Sequence, residues 1–202
     1  MKSLIDLLKE LNFETVNLEE KFSIIAKELM CNYQIESVSG EKFNIHEIEF
    51  YFFSHNHPDS SVHRHNLKAG QWRVHYSGID ITFDGCAVIN EKCKNKKCIE
   101  CKDLSSYGGI LIRSISNSKN LIVGPLRVQT TLLSGGSISE TKGISLIKVE
   151  NCNNINELKT STRCGVKDLQ NFDNDKQYCY YNADILKDAD KNDGTKYRIL
   201  IK

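Results

Sequence analysis

The chain has 202 residues, 40% of them hydrophobic and 26% charged, with a formal net charge of +1 and two prolines. That length and composition predict one soluble α+β domain with its own core, and the balanced charge excludes a global basic field, so a nucleic-acid partner would need a local patch. No apolar run is long enough to span a bilayer, which predicts no membrane partner.

The opening segment MKSLIDLLKEL is charged and amphipathic and does not read as a signal peptide. With eight cysteines and no leader, the expected location is the reducing cytoplasm, with thiols free or bound to metal. Ser3 and Asp6 form a capping-box pattern ahead of Leu4, Leu7, Leu8 and Leu11, which predicts a short helix, and residues 1–16 read as a helical appendage. Asn17 and Glu20 repeat the pattern before Leu18, Phe22, Ile25 and Leu29, predicting a second helix with one buried face. The main domain is expected over 17–202.

Gly40 turns a predicted strand Tyr33–Val38 into a long strand Ile45–Phe53. In that strand Ile48, Phe50 and Phe52 alternate with Glu47, Glu49 and Tyr51, so one face is core and the other presents two carboxylates and a phenol. A turn at Pro58–Asp59 leads through Ser60, Ser61, His63 and His65 to a strand pair, Gln71–Tyr76 and Ile79–Phe83. All six histidines lie between Ile45 and Phe83. His55, His57, His63 and His65 are spaced closely enough to suit zinc or iron, and equally to be ordinary loop residues. Trp72, Val74 and Tyr76 share one face of their strand, with Trp72 the residue expected in the core; Arg73 and His75 share the other.

An insert at 90–103 follows. Cys93, Cys98 and Cys101, with Cys86 upstream, have the thiols for a structural zinc site, free surface thiols being the alternative. Lys92, Lys94, Lys96, Lys97 and Lys102 make the insert the local basic patch, able to touch phosphates. Gly109–Ile115 then reads as a buried strand whose Arg113 needs a carboxylate, with Glu49 or Glu47 the obvious partner. Such a pair is either a structural ion pair or a carboxylate kept ionised to act as a general base. Pro125 after Gly124 starts a helix that Gly135–Gly136 end, and Ile144–Val149, Gln177–Tyr181 and Lys196–Ile201 read as further strands.

The order of these pieces resembles the DNA-3-methyladenine (alkylpurine) DNA glycosylase family. The family's Glu-x-Glu-Ala-Tyr strand is matched by Glu47-Ile48-Glu49-Phe50-Tyr51, and its histidine after an acidic loop by Asp59-Ser60-Ser61-Val62-His63. Leu111-Ile112-Arg113-Ser114, Gly124-Pro125, Arg163-Cys164-Gly165-Val166 and Tyr197-Arg198-Ile199-Leu200 resemble its later segments. The resemblance implies a single mixed, mainly antiparallel sheet or roll with flanking helices, working as a monomer on double-stranded DNA carrying a damaged purine. Glu49 would activate water and Arg113 would hold that water, with no catalytic cofactor. Tyr51 and His63 would contact the flipped base, with His75 and Tyr76 beside them. Phe50 replaces the family's alanine, and Ser77 stands before Gly78 where the family has its intercalating aromatic, Tyr76 lying one place earlier. A relative that binds a nucleobase-like ligand or nucleic acid without hydrolysis is therefore the alternative reading.

Overall fold

The fold is organised by one strand that pairs along both of its edges. In the computed structural model, which describes residues 2–12, 14–86, 105–136, 143–149, 155–164, 176–190 and 196–200, this strand is β2 (Lys42–Ser54). It is preceded by α1 (Leu4–Lys9), α2 (Leu18–Asn32) and β1 (Tyr33–Glu36). After it come β3 (His57–Pro58), β4 (Trp72–His75), β5 (Gly78–Thr82), β6 (Tyr107–Ser116), β7 (Leu121–Val123) and α3 (Pro125–Leu133). The chain continues with β8 (Ser145–Lys148), β9 (Leu158–Ser161), β10 (Cys179–Asn182) and a separate hairpin of β11 (Leu186–Asp190) and β12 (Lys196–Leu200).

The larger sheet runs β4-β5-β6-β2-β1-β8, and every registered pair among the described residues is antiparallel. One edge of β2 pairs with β6 over most of its length, and the other is shared between β1 near its start and β10 at Glu47–Glu49. A register shift between Ile45 and Ile48 bends β2 where the partners change. The result is an α+β fold dominated by a curled antiparallel sheet.

The alternation in β2 forms as its side chains require. Ile48, Phe50 and Phe52 enter the main core, where Phe50 stacks on Phe22 of α2 with ring centroids 4.3 Å apart. Ala26 and Met30 widen the buried stripe of α2 beyond Phe22, Ile25 and Leu29. Ser3 and Asp6 close the expected capping box on α1, and Leu4, Leu8 and Leu11 join the same core. The second box does not form. Asn17 sits in the left-handed region (φ 58°) and its side chain makes no cap, a conformation asparagine tolerates better than most residues. Glu19 and Glu20 in the first turn remain to complement the helix dipole.

The turn after β2 also differs from the expected place. Ser54 pairs with His57 and Phe53 with Pro58, so the chain reverses at His55–Asn56 and Pro58 belongs to a strand. Pairing with the end of β2 satisfies backbone groups that a turn at Pro58 would leave open. The strands β7, β9 and β11 are short and lack a clear alternating pattern, and the sequence does not announce them.

Candidate functional site

The outward face of β2 carries the carboxylates beneath a cavity. Glu49 is 0% exposed, and its two oxygens accept three hydrogen bonds. The Cys164 backbone N–H donates to Oε1 at 2.6 Å, while the Tyr51 hydroxyl at 2.8 Å and Arg113 Nη1 at 3.2 Å donate to Oε2. Glu47 lies beside it. Its Oε2 accepts from the Ser114 hydroxyl at 2.8 Å, and its Oε1 is 3.4 Å from Arg113 Nε and takes a thiol contact from Cys179 at 3.6 Å. Arg113 therefore bridges both acids where the sequence offered one or the other. Its burial alone would lower its pKa, but Glu49 and then Glu47 more than offset this, and the guanidinium is held charged. Burial, reinforced by the Glu49 charge, pushes the Tyr51 phenol well above its ordinary value, so it stays a donor to Glu49.

Above this network opens a cavity of about 370 Å³. Tyr51, Arg113, His63, His75 and Tyr76 line it, so five of the six residues singled out from sequence meet at one place. The sixth, Glu49, is not in the lining and lies a layer beneath, behind Tyr51, Arg113 and Cys164. Tyr76 is 78% exposed at the rim, its ring centroid 5.7 Å from that of His63 and 6.1 Å from that of His75. Trp72, on the same strand face, packs against the core as expected, and Val74 and Tyr76 do not. Burial first, then the nearby Arg73 and His75, holds the His63 imidazole below its usual pKa. A neutral His63 is suited to stacking on a flat ligand.

Three further features of the site are assembled by tertiary contacts. Arg163 and Asp59, 1% and 0% exposed in their side chains, form an ion pair of 2.5 Å, and the Arg163 guanidinium lies 4.6 Å over the Tyr51 ring. Asp59 also accepts from the Ser61 backbone at 2.9 Å, tying the turn before His63 to the same anchor. Cys164 lines the cavity; a hydrogen bond from Cys179, with burial opposing and Arg113 assisting, lowers its thiol pKa. Asp80 enters from β5 with its Oδ2 3.0 Å from His75 Nε2. Only the Arg-Cys-Gly pattern hinted at the first two, and nothing in sequence hinted at Asp80.

The four histidines of the proposed metal string disperse. His57 is buried against the rings of Phe52 and Tyr178, and His65 bonds the backbone of Gly108 at 2.9 Å. His63 faces the cavity and His55 sits exposed in the turn. Among the described residues no group of three or more histidine, cysteine or acidic side chains is placed to hold a metal ion. Cys86 is exposed and bridges its backbone to Ser106. Cys93, Cys98 and Cys101, the lysines of the insert, and Gly165 and Val166 lie outside the described residues. No described helix is long and apolar enough to cross a membrane.

No family model matches the chain, and no solved structure matches it. It is similar to an uncharacterized protein of Acanthamoeba polyphaga mimivirus, 32% identical over 142 residues, which is 63% of this chain and 62% of the viral protein. The chain thus spans less than two thirds of that relative's length.

Proposed function

We propose that the cavity receives a purine turned out of a DNA duplex, and that the chain is a monofunctional glycosylase hydrolysing the N-glycosidic bond of alkylated or deaminated purines. The observation that carries this reading is the convergence of Tyr51, His63, Tyr76, Arg113 and Cys164, from five separate segments, on one cavity floored by the Glu49–Arg113 network. Taking a base from the stack costs a few kcal/mol. Stacking on aromatic side chains returns roughly 1–3 kcal/mol per base, and Tyr51, His63, His75 and Tyr76 are rings in the cavity lining. In this reading Glu49 takes a proton from water admitted between Tyr51 and Arg113, while Arg113 holds that water. No catalytic metal is needed, the fold is of the alkylpurine-glycosylase type, and the protein acts as a cytoplasmic monomer on double-stranded DNA.

The test is alkali-dependent nicking of duplexes carrying one hypoxanthine or one alkylated purine, with Glu49→Gln beside the wild type. Removal of a general base lowers the rate by about 10²–10⁴-fold. Nicking by wild type with that loss in a folded Glu49→Gln protein supports the proposal. Equal nicking by both proteins removes Glu49 from the chemistry.

A second reading rests on the complete burial of Glu49 and its three donors, which is how a purely structural carboxylate would be held. On that reading the chain binds a nucleobase-like ligand or nucleic acid and hydrolyses nothing. Duplex binding that persists without base release from any damaged purine would select it.

A further inference from the structure

Two cysteines meet at the floor of the cavity, and base hydrolysis uses neither as a reacting group. Cys179 on β10 is the cross-strand partner of Glu49 on β2, so its side chain shares the face that carries the carboxylates. Its thiol reaches Glu47 Oε1 at 3.6 Å. On its other side Cys179 pairs with Ser161 of β9, and the chain runs on from there to Cys164, whose backbone N–H holds Glu49 Oε1 at 2.6 Å. A hydrogen bond in which Cys179 donates to Cys164 joins the two thiols, and both lie in the field of Arg113. Sulfurs in hydrogen-bond contact have only a short way to go to the roughly 2.05 Å of a disulfide.

The pair is asymmetric, which gives each sulfur a separate task. Cys164 lines the cavity and is 8% exposed, whereas Cys179 is outside the lining and 0% exposed. A small solute that enters the cavity therefore meets Cys164 and not Cys179. The Cys179 hydrogen bond and the Arg113 charge favour the Cys164 thiolate, the form that reacts; burial and the two carboxylates oppose them, and the balance lowers its pKa. Cys31, a half-buried thiol on α2, is the contrast, because burial pushes it up. An accessible thiol with a lowered pKa and a second cysteine beside it is the arrangement that reacts with peroxides.

We propose that Cys164 is a site of modification by hydrogen peroxide and that Cys179 resolves its sulfenic acid as a disulfide, an inference independent of the glycosylase reading. The Cys164 thiolate attacks one peroxide oxygen. An S–O bond forms as the O–O bond breaks, and the departing hydroxide takes up a proton as water. The sulfur is oxidised and the peroxide reduced. The Cys179 sulfur then attacks the Cys164 sulfur, the S–S bond forms as the S–O bond breaks, and hydroxide leaves with the Cys179 proton as water. Across both steps two thiols and one peroxide give one disulfide and two waters. The product reaches the acids beneath the cavity. It removes the proton that Cys179 shares with Glu47, and it ties Cys164, whose N–H holds Glu49, to β10.

The experiment exposes the reduced, folded chain to a small excess of hydrogen peroxide at neutral pH, blocks the remaining thiols with iodoacetamide and maps the unreduced digest by mass spectrometry. The peptide pair linked through Cys164 and Cys179 should form about tenfold faster than any other link among the eight cysteines, and dithiothreitol should return both thiols. In Cys179→Ser, checked for folding by circular dichroism, the link is lost and dimedone, which captures sulfenic acids, should label Cys164. In Cys164→Ser, Cys179 should stay reduced. Should either variant fail to fold, dimedone present during a brief exposure of the wild type decides, by labelling Cys164 ahead of Cys179. Oxidation of other cysteines while Cys164 and Cys179 remain thiols overturns the proposal. So does a Cys164 sulfenic acid that persists in the wild type without the link, or a Cys179 that oxidises at the wild-type rate in Cys164→Ser. None of these readouts involves base release, so failure here leaves the glycosylase reading where it stands.

Discussion

Replacing Asp59 by alanine should destabilise this protein more than almost any other single polar change. Asp59 is the carboxylate partner of Arg163, and neither side chain is more than 1% exposed. Without it the guanidinium cannot neutralise itself. Nη1 also makes long contacts, 3.3 Å to the Ser61 hydroxyl and 3.5 Å to the Phe50 carbonyl, and the guanidinium lies 4.6 Å over the Tyr51 ring, none of which carries a compensating charge. Removing one partner of such a buried pair costs about 3–5 kcal/mol, against a total stability of about 5–15 kcal/mol for a domain. Urea unfolding at pH 7 reads this as a fall in midpoint at unchanged slope. The double variant Asp59→Leu with Arg163→Met fills the same space without charge, and should recover most of the loss. A loss below about 1 kcal/mol for Asp59→Ala, the range of exposed pairs, would refute the reasoning and detach the 59–61 turn from Arg163.

Two further outcomes follow from single residues. Burial holds the His46 imidazole down to about pKa 4, with Asn182 and Ser116 at its two nitrogens. The unfolded value is about 6.5, so the unfolded chain binds the proton first; this contribution to stability is complete above about pH 6.5 and falls by about 3 kcal/mol as the pH drops toward the folded value. His46→Gln should flatten that part of the stability–pH curve, and an unchanged slope would remove His46 as its cause. Gly108 pairs with Phe52, and a Cβ there would strike the Tyr51 carbonyl and the Phe52 backbone. Gly108→Ala should lower the melting temperature and weaken ligand binding together, whereas Gly124→Ala, whose Cβ meets no atom but whose φ of 104° disfavours it, should affect stability alone.

Much of the architecture was legible in the order of residues. The two-faced alternation of β2, the glycine turn at Gly40, the stripe of α2, the capping box of α1 and the Gly124–Pro125 helix start depend on neighbours within a few positions. Local steric and hydrogen-bonding rules therefore decide them, and they also place Glu47, Glu49 and Tyr51 on one face. The site is another matter. That Arg113 joins both carboxylates, that Glu49 takes the N–H of Cys164 from 115 positions away, and that Asp80 rather than Glu49 reaches the cavity are results of strand pairing. The same holds for the reversal at His55–Asn56, which pairing with β2 sets three residues earlier than Pro58–Asp59. Periodicity says which face a side chain takes, and only the register between strands distant in the chain says what it meets there.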